Sequence, residues 1–251
     1  MESGKSAASL ALVWLFMVGT GCASSVFGWQ VRTDSTPMLP SFHPADLEQQ
    51  PVALFSAVGL PAFRGNEVAL DFYLNEILHA VEPKWKLVSS QETATRINRQ
   101  GLAADYARMR VDYEQTNMLD RDSLRKIGGA LGVRYVFQPR LAAFYQMMTD
   151  RWTFAFPMLN LRLTQTRSSI MRLSLQLWDA ETGELVWASF AETNMETEAT
   201  TQDPVYLEDV AHATFASMIE DFMQGNTDSK YTSLNKFLNS LIEESVPKET
   251  R

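Results

Sequence analysis

The stretch MRLSLQLWDAETGELVWASF, Met171 to Phe190, decides the fold. Met171, Leu173, Leu175 and Leu177 alternate with Arg172, Ser174 and Gln176. That period of two sends one row of side chains to a core and the other to the opposite face. DAETG reads as a turn built on Asp179 and Gly183, and ELVWASF returns as the second strand of a hairpin. A hairpin with so apolar a face needs a second layer over it, and the flanking sequence supplies helices for that purpose.

Upstream, Asp122 offers an N-cap for SLRKIGGALG, in which Leu124, Ile127 and Leu131 share a face and Gly132 takes the left-handed cap. YVFQPRLAAFYQ, Tyr135 to Gln146, is the next strand, and Pro139 within it predicts an edge position or a bulge. Earlier, PVALFSAVG, Pro51 to Gly59, has strand length. Leu70, Leu74, Ile77, Leu78 and Val81 recur at helical spacing, and Pro83 closes that helix. Trp85 to Val88 is a short strand, Ser89 with Glu92 forms a capping box, and Leu102 to Asn117 is a more polar helix. Downstream, Asp203 and Pro204 suit N-cap and N1 of a helix with Leu207, Val210, Ala211, Thr214, Met218 and Phe222 inward. A last short helix is expected over Thr232 to Ser245. These elements predict one α/β domain over residues 51–225, a mixed sheet with helices packed against it, and a helical tail over residues 226–251.

The N-terminus carries an export signal. Lys5 precedes ASLALVWLFMV, Ala8 to Val18, an apolar run of signal-peptide length and short of the ~20 residues that span a bilayer. Gly19, Thr20 and Gly21 then lead into Cys22, the only cysteine in the chain. Three readings of it stand side by side. Gly19 to Cys22 resembles the lipobox of bacterial lipoproteins, in which the cysteine is acylated and becomes the mature N-terminus, although that pattern prefers Leu where this chain has Gly19. Gly21 and Ala23 also form a small-x-small site for cleavage after Ala23, and Cys22 can equally be a buried thiol of an uncleaved segment. The lipoprotein reading accounts best for a lone thiol at the end of the apolar run. It makes residues 1–21 a signal peptide and Cys22 a lipid anchor. Ser24 to Gln50, rich in Ser, Thr, Pro, Gln and Asp, reads as a tether, so that residues 22–50 join anchor to domain. Ala23, where the enterobacterial sorting pattern would place Asp for inner-membrane retention, makes the outer membrane the expected address.

With 22 Lys and Arg against 30 Asp and Glu, a net charge of −8, the chain lacks the clustered cations that bind a phosphate backbone, and nucleic acid is not an expected partner. A single cysteine leaves core packing, not disulfides, to stabilise the fold.

DSLRKIGGALGVRYVFQPRLAAFYQ followed by the Met171 to Phe190 hairpin resembles the CsgG-like family of bacterial envelope lipoproteins, a fold also found in the N-terminal domain of TolB. The matching pieces are Gly129 to Phe137 and Leu173 to Trp187, including Asp179, Thr182 and Gly183. The likeness covers about Pro51 to Phe222. Its phrases are structural, so it implies a fold and, for function, only a setting in export or envelope assembly. Curli-secretion members of the family are ring-forming channels in which each subunit donates two hairpins to a transmembrane barrel. Here the first hairpin would fall between Tyr145 and Arg172, where Trp152, Phe154 and Phe156 alternate, as do Leu159, Leu161 and Leu163. Pro157 interrupts that run, and AETNMETEATTQD, the place for a second hairpin, is too short and polar for two membrane strands. The expected alternative is a soluble hairpin that covers the core or docks on a partner, with Trp152, Phe154 and Phe156 as partner or membrane contacts or as core residues.

Catalytic signals are sparse. The chain has no GxSxG elbow, Walker loop, GxGxxG after a strand or HExxH. His43 lies in the expected tether. His79 and His212 lie on predicted helices, and a metal or hydrolytic site would need them to converge with a carboxylate such as Glu76 or Asp209. No catalytic, cofactor or metal residue is assigned. The sequence therefore predicts a non-enzymatic, periplasm-facing outer-membrane lipoprotein whose partners are the membrane, through the Cys22 lipid, and other envelope proteins or further copies of itself. A ring-forming secretion channel is the alternative.

Overall fold

The computed structural model describes residues 26–59, 65–155, 160–199, 206–227 and 230–232. For 26–29, 148–155, 160–167, 197–199 and 230–232 that description is of the backbone alone. Cys22, Phe156, Pro157, Asp203 and Pro204 lie outside the described residues.

Among the described residues eight strands form one mixed sheet: β1 (Val26–Ser35), β2 (Val52–Leu54), β3 (Val58–Gly59), β4 (Leu87–Val88), β5 (Tyr135–Ala155), β6 (Asn160–Asp179), β7 (Leu185–Ala199) and β8 (Lys230–Thr232). The order is β4-β2-β5-β6-β7-β1-β8, with β3 also paired to β5. The β2, β3 and β4 pairings are parallel and the rest antiparallel. The described residues also form six helices: α1 (Asp46–Gln49), α2 (Glu67–Val81), α3 (Ser90–Arg99), α4 (Ala103–Thr116), α5 (Arg121–Leu131) and α6 (Leu207–Gln224).

The order of the parallel strands explains the layering. From β2 the chain crosses through α2 to β4 on one side, then returns through α3, α4 and α5 to β5 on the other side. Right-handed crossovers in opposite directions place their helices on opposite faces. One face accordingly carries α1, α2 and α6 over Leu54, Phe137, Leu173, Leu175, Leu177 and Trp187. The other carries α3, α4 and α5 over Ala53, Val88, Val136 and Trp178. The alternation in MRLSLQLW is realised: Met171, Leu173, Leu175 and Leu177 are all fully buried, and Arg172 is exposed.

Local signals set the ends of several elements. Ser89 caps α3 by accepting from the Glu92 N–H at 3.3 Å, and Gly132 ends α5 at φ 68°. Asp179 Oδ1 accepts from the Glu181 and Thr182 N–H groups at 2.8 and 3.1 Å, holding the β6–β7 turn. The cap of α5 is Asp120, not Asp122, because its carboxylate reaches the Ser123 N–H at 2.9 Å one residue ahead of the helix.

Four expectations need correction. Residues 26–50 are not a tether. β1 fills the free edge of β7 with Val31 fully buried, and Leu47 of α1 is equally buried in the core. The composition is that of a linker, but Val31 and Thr33 alternate with Gln30, Arg32 and Asp34, and β7 supplies a long-range partner that no local signal reveals. Pro139 is not at an edge; it lies in the interior strand β5, where the pairing shifts by one residue between Leu54↔Phe137 and Val58↔Arg140, while the shift of β5 against β6 comes later, between Leu141 and Ala143. The strand expected over Pro51 to Gly59 breaks into β2 and β3 opposite Pro139, whose missing N–H faces that break. Within the tail expected over residues 226–251, Lys230–Thr232 is a strand paired with β1, and the rest of the helix expected over Thr232 to Ser245 lies outside the described residues.

Candidate interaction surface

The hairpin of β5 and β6 outruns the layers that cover the sheet. Among the β5 residues whose side chains are described, Phe144 is the last packed on the core, and Tyr145 and Met147 beyond it are 55% and 52% exposed. At ~3.3 Å per residue, the two strands continue about 35 Å past that point. Whether this hairpin covers the core or docks on a partner turns on side chains outside the described ones; its backbone continues the pairing of β5 and β6 as an arm. Pairing is continuous from Tyr135↔Asp179 to Ala155↔Asn160 apart from the one shift, and the expected interruption at Pro157 lies outside the described residues.

Register sorts the arm into two rows. One row begins in the core at Phe144↔Met171, passes Gln146↔Ser169, Met148↔Arg167 and Asp150↔Gln165, and ends at Trp152↔Leu163 and Phe154↔Leu161. The two described aromatics of the expected contact thus share a face with two leucines at the tip, separated from the core by polar positions. The other row holds Tyr145↔Ile170, Arg151↔Thr164 and Thr153↔Arg162. At the tip the first row is apolar and the second, with Thr153↔Arg162 and Arg151↔Thr164, is polar, while nearer the core both rows mix apolar and polar residues. The polar segment after Phe190 adds a single strand to it, since β7 pairs with β6 as far as Gln165↔Ala199.

The sheet face opposite α6 is open across β6, β7 and β1 among the described residues. Gln30, Arg32 and Asp34 of β1 pair in register with Asn194, Glu192 and Phe190 of β7, and these six line a depression of about 270 Å³. Arg172 donates to Glu192 at 2.6 Å beside it. Sequence reasoning missed this face because half of it lies in the segment read as a tether; the alternation of Gln30, Arg32 and Asp34 was the available signal.

Elsewhere the polar side chains serve the fold. His212 on α6 is buried, meets Glu76 of α2 at 3.2 Å and packs edge-on against Tyr73, whereas His79 is exposed. No group of three or more His, Cys, Asp or Glu able to hold a metal occurs among the described residues. Burial lifts the Tyr73 hydroxyl above its usual range, with Glu208, Glu76 and Asp209 adding to the effect. The crevice at the carboxyl end of β2, a common ligand position in parallel sheets, is filled by the chain itself. Tyr106 accepts from the Ser56 N–H at 3.2 Å, Gln138 donates to the Ser56 carbonyl at 3.2 Å, and Arg110 donates to the Ala57 carbonyl at 3.1 Å. No helix among the described residues is long and apolar enough to cross a membrane.

The fold defines a class: a mixed α/β sheet covered by helices on both faces, from which a two-stranded arm projects. No known protein family and no curated protein matches the chain. Among solved structures it is similar to the PelC dodecamer from Paraburkholderia phytofirmans, at 12% identity and a TM-score of 0.42 over 77% of this chain and 97% of that one. It is also similar to lipoprotein GNA1162 from Neisseria meningitidis, at 11% identity and a TM-score of 0.39 over 70% and 99%. The LpoB C-terminal domain from Salmonella enterica matches at 16% identity and a TM-score of 0.33 over 57% and 81%. Bacterial lipoproteins are thus among its neighbours, and at these scores the likenesses carry no argument about this chain's work.

Proposed function

We propose that the chain is an outer-membrane lipoprotein, anchored through Cys22 after removal of residues 1–21, that faces the periplasm and acts by binding in export or envelope assembly. The observation that supports this reading is the arm. Its paired strands run on beyond Tyr145 and Met147, which are exposed, and its tip combines Trp152, Phe154, Leu161 and Leu163 in one row. An element so long, with an apolar row at its end, gains a purpose when another surface covers it. The anchor and the arm together make the domain a docking component held near the membrane.

The test is the mass of the detergent-extracted protein by light scattering, with Cys22→Ser alongside and partner capture compared between the full chain and a Trp152→Ser, Phe154→Ser variant. Release of Cys22→Ser from the membrane, a monomer or dimer, and capture of envelope proteins lost in the arm variant are expected. A protein that stays membrane-bound without Cys22, or captures equally without the aromatics, overturns the reading.

One observation favours the channel as a second reading. Residues 145–155 and 160–170 form paired strands that each reach the ~9–11 residues of a membrane strand. That reading predicts a large heat-resistant ring and ion conductance in planar bilayers, and a protein that never exceeds a dimer removes it.

A further inference from the structure

The two helical layers differ in charge. α1, α2 and α6 together hold nine carboxylates and no Lys or Arg, whereas α3, α4 and α5 hold seven Lys and Arg beside five carboxylates. The first layer therefore presents a negative surface. One end of it is also apolar. Val68 and Phe72, one turn apart on α2, are 76% and 59% exposed, and Tyr206 at the amino end of α6 is 61% exposed. The packing of α2 is already supplied by its opposite side, where Leu70, Leu74, Ile77 and Leu78 are buried.

Contacts between the helices bring these residues together. Glu76 meets His212 at 3.2 Å, and the Tyr73 ring lies 4.9 Å from the His212 ring. One turn back, Tyr73 is close enough to Glu208 and Asp209 for their charges to raise its hydroxyl, after the larger effect of burial. α2 and α6 thus run side by side in the same direction, which sets Tyr206 level with the first turns of α2. Phe72 meets Tyr73 edge-on at 5.9 Å and continues the patch. Glu67, Glu76, Glu208 and Asp209 stand around it, and among the described residues no Lys or Arg forms an ion pair with any of the four.

The rim selects the occupant. An exposed apolar patch alone suits a lipid surface, a second copy or another protein. A second copy brought patch to patch adds the same carboxylates, and an anionic lipid surface is repelled. A helix with an apolar stripe between rows of Lys and Arg matches both the centre and the rim.

We propose that the amino-terminal turns of α2 and α6 dock a basic amphipathic helix of a protein partner, its apolar stripe on Val68, Phe72 and Tyr206 and its cations toward Glu76 and Glu208. This goes beyond the proposed function by adding a second surface, away from the arm and independent of the anchor.

The experiment uses the full chain with Cys22→Ser and a fluorescent 14-residue peptide of Leu and Lys, its leucines on one helical face, read by anisotropy. Val68→Ser with Phe72→Ser, and separately Glu76→Gln with Glu208→Gln, should each weaken binding about tenfold or more at unchanged melting temperature. Asp112→Asn with Glu114→Gln removes equal charge from α4 and should change it less than about twofold. A peptide of the same composition with leucines spread around the helix should bind at least about tenfold more weakly than the patterned one. Losses in the α2 and α6 variants no larger than in the α4 variant, or equal binding of the two peptides, overturn the proposal. Phosphatidylcholine vesicles that need Phe72 when the peptide does not would make the patch a membrane contact and also overturn it. Should a variant lose its fold, amide exchange of the Cys22→Ser chain with and without the peptide decides. Protection gained at residues 68–76 and 206–212 supports the site; protection elsewhere, or none, overturns it.

Discussion

Asp71 accepts a hydrogen bond from the Ala57 N–H at 2.7 Å, joining α2 to the link between β2 and β3. With Tyr106, Arg110 and Gln138 it completes a set in which each backbone polar group of Ser56 and Ala57 meets a side chain. The link exists because Pro139 has no N–H to offer the neighbouring strand there, and buried peptide groups must be paired elsewhere. Side chains from α2, α4 and β5 thus repair a gap that one proline opens.

Burial pushes the Asp71 carboxyl up to about 6, against the lowering pull of the Ala57 N–H, Ser90 and Arg110, with Glu67 adding to the rise. A carboxyl whose folded value lies above its unfolded one binds its proton more tightly in the native state. Its contribution to stability therefore falls as pH rises from about 4 to about 6 and is level on either side. The effect is roughly 2–3 kcal/mol at most. Urea unfolding from pH 4 to 7 should show this component in the natural chain and lose it in Asp71→Asn, taken as a difference because Asp209 and Asp221 are raised too.

Leu47 is completely buried although it lies in a segment of linker-like composition. Leu47→Ala should cost about 2–5 kcal/mol, the range for emptying a core site, and Val31→Asp should be more damaging still. Chemical unfolding that leaves both variants as stable as the parent would return residues 26–50 to the role of a tether.

Gly128 and Gly129 are adjacent on α5 and predicted to respond oppositely. A Cβ on Gly128 would stand 2.5 Å from that of Ala180, whereas Gly129 has open space. Gly128→Ala should destabilise by about 1–3 kcal/mol through overpacking. Gly129→Ala should stabilise by roughly 0.5–1 kcal/mol, the usual helical preference for Ala. Melting temperatures moving in the same direction would contradict this packing.

The arm should be removable. Joining Met148 to Arg167, a register pair, through Asn-Gly deletes the tip without touching the helical layers. A melting temperature changed by less than ~4 °C, equivalent to roughly 1 kcal/mol in a domain of this size, is expected. Loss of cooperative unfolding would make the arm part of the core.

Much was determined by the sequence on its own. The hairpin Met171 to Phe190, the buried stripe of α2, the Ser89 and Gly132 caps and the mixed α/β class follow from interactions within a few residues, and periodicity reports those directly. The alternation of Trp152 with Phe154 and of Leu161 with Leu163 was equally plain in the chain.

Tertiary structure decided the rest, because it depends on partners far away in the chain. β7 makes a strand of residues 26–35, and paired register turns the Tyr145 to Arg172 segment into an arm with Trp152 opposite Leu163. Pro139 sits at the centre of the sheet because the break between β2 and β3 faces it, and Asp71 is buried because Ala57 needs an acceptor there. Pairing between distant strands, as of β1 with β7 or of β2 with β5, leaves no local period to read; it is selected by the total burial and hydrogen bonding that only the assembled sheet provides.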